Sequence, residues 1–228
     1  MLQERDYMQQ PGRRSSWRLS ATIVLIILNI LAFLFQYTLL PTLADPGYFA
    51  LSSWGLKHGY VWQLVTYQFM HGGIAHILLN CWALFVFGRS VEWAVGKTRF
   101  VIMYFCSGIV GGLVQVAAAM LWPDYFGGST VGASAGVFGV VASFAMLFPE
   151  QPLVMLLLYV IPVKMRAKSL LWFVLAITAL GISFPDSQLA RILGGNVAHC
   201  AHLGGILTGL AFTRFYFLRN LRPPPMAG

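Results

Sequence analysis

Apolar residues run from Ala21 to Leu40 without a charged side chain, about the 20 positions an α-helix needs to cross the hydrocarbon core of a bilayer. Five further stretches of the same character follow: Gly72 to Gly88, Phe100 to Trp122, Ser134 to Phe148, Ser169 to Phe184 and Val197 to Tyr216. The pattern predicts six spanning helices. A cleaved leader is the competing reading of the first run, but its apolar region would be about 7–15 residues before a small-residue cleavage site, so this helix is expected to be retained. A seventh apolar run, Pro152 to Val163, is short, is bracketed by Pro152 and Pro162, and leads into Lys164, Arg166 and Lys168. Such a run reads as re-entrant or interfacial rather than spanning. The connection from Pro41 to Met70 carries Tyr48, Phe49, Trp54, Tyr60, Trp62, Tyr67 and Phe69. Amphipathic rings favour the headgroup level, so this first loop is expected to lie in the membrane interface.

Composition agrees with the pattern. Of 228 residues 58% are hydrophobic and 10% charged, against about 25% charged in a soluble domain. One all-α integral domain over residues 21–218 is expected, with tails at 1–20 and 219–228. The net charge of +8 would in a soluble protein suggest a nucleic-acid partner, but its distribution explains it otherwise. With six spans and the N-terminus inside, thirteen of the fifteen Lys and Arg fall on the inner side, and only Lys57 and Arg191 outside. That is the positive-inside asymmetry, so both termini are expected to be cytoplasmic and no nucleic acid is required. The three cysteines, Cys81, Cys106 and Cys200, have no CxxC spacing and imply neither a disulfide framework nor a structural zinc site.

Polar residues inside apolar helices carry the chemistry. In this topology the second, fourth and sixth helices all start near the outer face, and each start is polar. His71 precedes the second helix, which carries His76 and Asn80, four apart and therefore on one face; two such donors could hold one oxygen, or could simply bond neighbouring helices. The fourth helix opens Gly132-Ala133-Ser134-Ala135-Gly136, which places a hydroxyl among the free N–H groups of a helix start. A Gly-x-Ser-x-Gly elbow normally follows a strand, and no such sheet is expected here. Ala135, Gly139 and Ser143 also form a small-residue stripe at spacing four, matched by Gly205 and Gly209. Close packing of the fourth and sixth helices would bring Ser134 within reach of His202, next to Asn196 and His199.

These residues resemble the rhomboid family of intramembrane serine proteases. The likeness rests on His71, His76-x-x-x-Asn80, Gly132-x-Ser134 with Gly136, and Ala201-His202-Leu203-Gly204-Gly205, and covers about residues 21 to 218. It implies the six-helix rhomboid bundle with a cavity open to the outer side. It further implies Ser134 as nucleophile and His202 as base in a dyad without an acid, His76, Asn80 and the Ser134 N–H as oxyanion hole, and Phe138 packed on the base. His71, Gly132, Gly136 and His199 are supporting residues, and the loop from Pro185 to Ala198, with Gly194-Gly195, resembles a mobile cap. His71, Ser129, Thr130, Asn196 and His199 are candidates for a water route. Two departures stand out: Ala135 follows Ser134 where many relatives have Gly, and Trp62-Gln63 stands where many have Trp-Arg.

The expected activity is cleavage of single-pass transmembrane proteins near the outer face of a lipid bilayer, without cofactor or metal, in a prokaryotic plasma membrane. A non-catalytic rhomboid-like binder of membrane helices is the alternative, though it would be expected to lack Ser134 or His202. A His-lined transporter or metal site is less favoured, because HExxH is missing and the five-residue spacing of His71 and His76 points them to different faces. Glu92 reads as a solvated or paired interfacial charge.

Overall fold

The computed structural model describes residues 20–157, 161–185 and 197–220. The expectations for the N-terminal tail, the Gly194-Gly195 cap, Asn196 and the last eight residues fall outside them. Among the described residues the long helices are α1 (Ala21–Thr38), α2 (Ile74–Val95), α3 (Lys97–Leu121), α4 (Ser134–Leu147), α5 (Ala167–Ser183) and α6 (His199–Asn220). They match the six apolar runs. The largest boundary error is at the end of α2, which continues through Arg89 and Glu92 to Val95. By length and composition α1, α2 and α3 can each cross a membrane.

α4 is the centre of the bundle. Ala135, Gly136, Val137 and every residue from Gly139 to Ala145 are buried, as expected of a helix apolar on all sides. At fourteen residues it is only about 21 Å long, so it does not need to reach both surfaces, and its first residue can lie below the loops. Around it Phe100, Met103 and Tyr104 of α3, Leu84, Phe87 and Val91 of α2, and Val137, Val140 and Phe144 of α4 make one core. Large apolar side chains face outward on the surrounding helices, among them Leu31 and Leu34 of α1, Leu78 and Trp82 of α2, and Trp172 of α5. So wide an exposed apolar surface marks a lipid-facing belt, and the molecule is a helical membrane bundle.

Glycine sets the closest contacts. A Cβ on Gly204 would lie 2.8 Å from the Gly111 Cα of α3, and one on Gly209 would lie 2.8 Å from the Gly139 Cα of α4. The Ser143 hydroxyl donates to the Gly209 carbonyl at 3.1 Å. The stripe read along α4 therefore does meet the glycines of α6, backbone against backbone.

Glu92 corrects the surface reading given to it. Its carboxylate accepts from the Ala21 and Thr22 amides at 2.7 and 3.0 Å and from the Ser20 and Thr22 hydroxyls at 2.5 and 2.8 Å. A side chain of α2 thus caps the start of α1, satisfying N–H groups that have no partner within their own helix. The short apolar run after α4 is a hairpin, β1 (Pro152–Leu157) antiparallel to β2 (Ile161–Arg166), with Pro152 opposite Arg166 and Leu157 opposite Ile161. Beside it Glu150 bonds Arg166 and Lys168, both at 2.5 Å.

The first loop is pinned rather than loose. The Tyr67 hydroxyl donates to the Gly108 carbonyl at 2.6 Å, and Leu51, Tyr67 and Val116 form a second small core. Gln63, which stands where the family pattern raised a question, is buried and spans the loop. Its oxygen accepts from the Ser52 amide at 3.1 Å and its nitrogen donates to the Gly47 carbonyl at 3.1 Å. Glutamine therefore supplies the anchor here.

Candidate active site

The segment entering α4 is held under the first loop. Leu51 and Thr130 exchange backbone bonds of 3.0 and 2.7 Å, and the Gly132 amide donates to the Tyr67 carbonyl at 2.9 Å. Gly132 then turns the chain with φ +131°, a conformation open to glycine and strained for other residues. Ser134 follows as the first residue of α4, partly exposed, with the unpaired N–H groups of a helix start around it.

Its partner comes from α6. His202 Nε2 lies 2.9 Å from Ser134 Oγ. The imidazole stacks on Phe138, one turn into α4, with centroids 4.1 Å apart and planes at 18°. Two glycines, two and three positions after His202, explain how it gets there. Gly204 faces α3, and Gly205 lies against α4, where a Cβ would sit 2.8 Å from the Ala135 carbonyl carbon. Gln115 of α3 steadies the same turn, accepting from the Ala201 amide at 3.3 Å and donating to the Phe126 carbonyl at 3.2 Å. Asp45, Glu92 and Glu150 are bonded elsewhere. Gly136 packs on the Tyr104 ring, 2.9 Å from where its Cβ would be.

His76 comes from α2 to lie beside Gly132. A Cβ on Gly132 would lie 2.7 Å from both Cε1 and Nε2 of His76 and 3.6 Å from Ser134 Oγ. The Gly72 amide donates to His76 Nδ1 at 3.3 Å, so the neutral ring carries its proton on Nε2, the nitrogen beside Gly132. Asn80 is buried on the same face, and its amide donates to the His76 carbonyl at 3.1 Å. It is close to His76, yet its donor is engaged along its own helix.

His71 is fully buried, and Gln36 of α1 brackets its backbone, accepting from its N–H at 2.8 Å and donating to its carbonyl at 2.9 Å. The expectation that His71 and His76 point apart is wrong: their rings meet edge to face at 5.1 Å. His71 precedes the helix, so helical spacing does not apply to it. Burial, then the neighbouring His76, lowers its pKa to about 4, and it is neutral at pH 7. His199 is buried against Gly181 of α5 and edge-on to His202 at 5.9 Å. Thr130 is tied to Leu51, while Ser129 lines a cleft under the first loop. Of the residues proposed for a water route, His71 and His199 are buried and Thr130 is bridged to Leu51.

Sequence reading missed Gln36, Gly72 and Gln115, and named Gln63 only as a departure from the family pattern. A polar amide within an apolar run was the available signal for Gln36 and Gln115. Gly72 acts through its backbone and gave none.

A family model described as Rhomboid domain matches residues 58–219. The chain is 35% identical to YdcA of Bacillus subtilis over 42% of this chain and 47% of that protein. It is 31% identical to Rhomboid protein 1, mitochondrial, of Saccharomyces cerevisiae over 66% and 40%, and 26% identical to Rhomboid protease AarA of Providencia stuartii over 92% and 77%. The matched part is less than half the length of the first two relatives.

Proposed function

Because the chain belongs to the rhomboid family, we propose that it is an intramembrane serine endopeptidase acting through Ser134 and His202. The observation that carries this reading is the 2.9 Å contact between Ser134 Oγ and His202 Nε2, within the range in which a base accepts a hydroxyl proton.

As Ser134 Oγ attacks the carbonyl carbon of the scissile amide, its proton passes to His202 Nε2 and the carbonyl electron pair moves onto oxygen. The Ser134 N–H and His76 Nε2–H hold that oxyanion, and the Asn80 amide joins them after a change of rotamer. The imidazolium then protonates the leaving nitrogen and the C–N bond breaks, leaving an acyl ester on Ser134. Water attacks the ester, its proton goes to His202 and then to Ser134 Oγ, and the carboxylate product leaves. No carboxylate is needed in this scheme, because Phe138 stacking fixes the ring that an aspartate orients in soluble serine proteases.

The substrate is a single-pass membrane protein whose helix enters between the lipid-facing helices and unwinds near the first-loop side. Segments rich in Gly or Pro suit it, since these residues weaken helices by about 1–3 kcal/mol each. The charge asymmetry supports six spans with both termini on the cytoplasmic side and a site near the outer face.

The test is reconstitution of the pure protein in liposomes with a labelled single-pass substrate. Wild type cleaves it, Ser134→Ala and His202→Ala do not, and His76→Ala loses about 10²–10³-fold in rate, as removal of one oxyanion donor does elsewhere. Cleavage persisting in Ser134→Ala rejects the assignment. A chelator leaves the rate unchanged.

A further inference from the structure

The first loop carries a cleft that the proteolytic reading does not use. It measures about 600 Å³ and is lined by Asp45, Tyr48, Ser52, Trp54, Tyr60 and Ser129 with their backbone neighbours. Its chemistry is one-sided. Trp54 and Tyr60 stand nearly perpendicular, 82° apart with centroids at 5.7 Å, and form a corner of ring faces and edges. Tyr48 extends the wall, 4.7 Å from Tyr60. Asp45 sits at the rim, with Oδ1 accepting from the Gly47 amide at 2.7 Å, and among the described residues no basic side chain forms an ion pair with it. None of the nine lining residues is cationic. His58 is taken up on the outer side, stacked on Trp54 at 4.0 Å with its Nδ1 at 2.8 Å from the Trp54 carbonyl.

Aromatic faces beside a carboxylate with no cationic partner attract a compact cation, and a primary ammonium can also donate to the carboxylate oxygens. The surroundings decide the source. Tyr48, Trp54, Val61 and Trp62 are exposed on this loop, a composition that favours the headgroup level over open water. We propose that the cleft binds the ethanolamine headgroup of a zwitterionic phospholipid, its ammonium resting against Trp54 and Tyr60 and donating to Asp45. This docks the first loop on the lipid surface above the serine, and it does not depend on the chain being a protease.

Native mass spectrometry of the full chain, delipidated in detergent and offered equal amounts of phosphatidylethanolamine and phosphatidylglycerol, tests this. Wild type should retain the ethanolamine lipid in at least about fivefold preference. Asp45→Asn keeps the oxygen that caps Gly47 while removing the charge, and Trp54→Leu removes one wall; each should bring the ratio close to one, with the thermal melting transition unchanged. Equal retention of the two lipids by wild type overturns the proposal, as does a preference that survives both substitutions. Displacement of bound lipid by a soluble lysine peptide at equal concentration would assign the cleft to a protein side chain instead and would equally overturn it.

Discussion

Gly132 carries two constraints at one position. Its φ of +131° is strained for any other residue, and a Cβ there would strike the His76 imidazole at 2.7 Å. Gly132→Ala should therefore lower stability by about 1–3 kcal/mol and displace the oxyanion donor, cutting kcat/KM by roughly 10²-fold; a variant with wild-type kcat/KM would remove His76 from the site. His71 gives a pH prediction. Its folded pKa of about 4 lies below the ordinary 6.5, so the unfolded chain binds the extra proton between these values and folding stability falls as pH drops through that window. The loss amounts to about 3 kcal/mol at most. Melting in mild detergent from pH 7 to pH 4 should show this decline, and His71→Asn should make it shallower without removing it. At this scale Ser134, His202 and His76 were legible because polar groups at helix starts stand out against apolar runs, whereas Phe138, apolar within an apolar run, came only from the resemblance. The Glu92 cap and the Gln36 bracket were not, since each joins residues far apart in sequence through groups that any interface also carries.

The fourth and sixth helices make the site by approaching more closely than side chains allow. Gly205 has no room for even one methyl group before the Ala135 carbonyl, and the residue it faces adjoins Ser134. Gly205→Val should force the two helices apart, cost about 1–3 kcal/mol as overpacking does, and lengthen the 2.9 Å contact enough to abolish cleavage. Retained activity with an unchanged melting point would place the helix contact elsewhere. The six helices could be read from apolar runs because a spanning helix buries apolar side chains against lipid on one side and protein on the other. Their ends were harder. α2 runs on through Arg89 and Glu92 because Glu92 is satisfied by the start of α1, and no local pattern announces that. The hairpin Pro152–Leu157 with Ile161–Arg166 was ambiguous for the same reason: a short apolar run has no distinguishing period.

For the molecule as a whole, the arrangement brings one hydroxyl and two imidazoles together from the starts of three helices. The short α4 lies at the centre, the first loop folds over its entrance, and α2 and α6 supply His76 and His202 from either side. The family signature captured this because its motifs are the three helix starts; the loop anchors, which differ in chemistry here at Gln63, had to be seen in place. The central claim is that Ser134 is a nucleophile made reactive by His202. The most direct measurement is mass-spectrometric mapping of a fluorophosphonate adduct on the reconstituted protein. The account predicts a single modified residue, Ser134, with labelling reduced at least about 10²-fold in His202→Ala. An adduct on another serine, or labelling of Ser134 that is indifferent to the loss of His202, would contradict it.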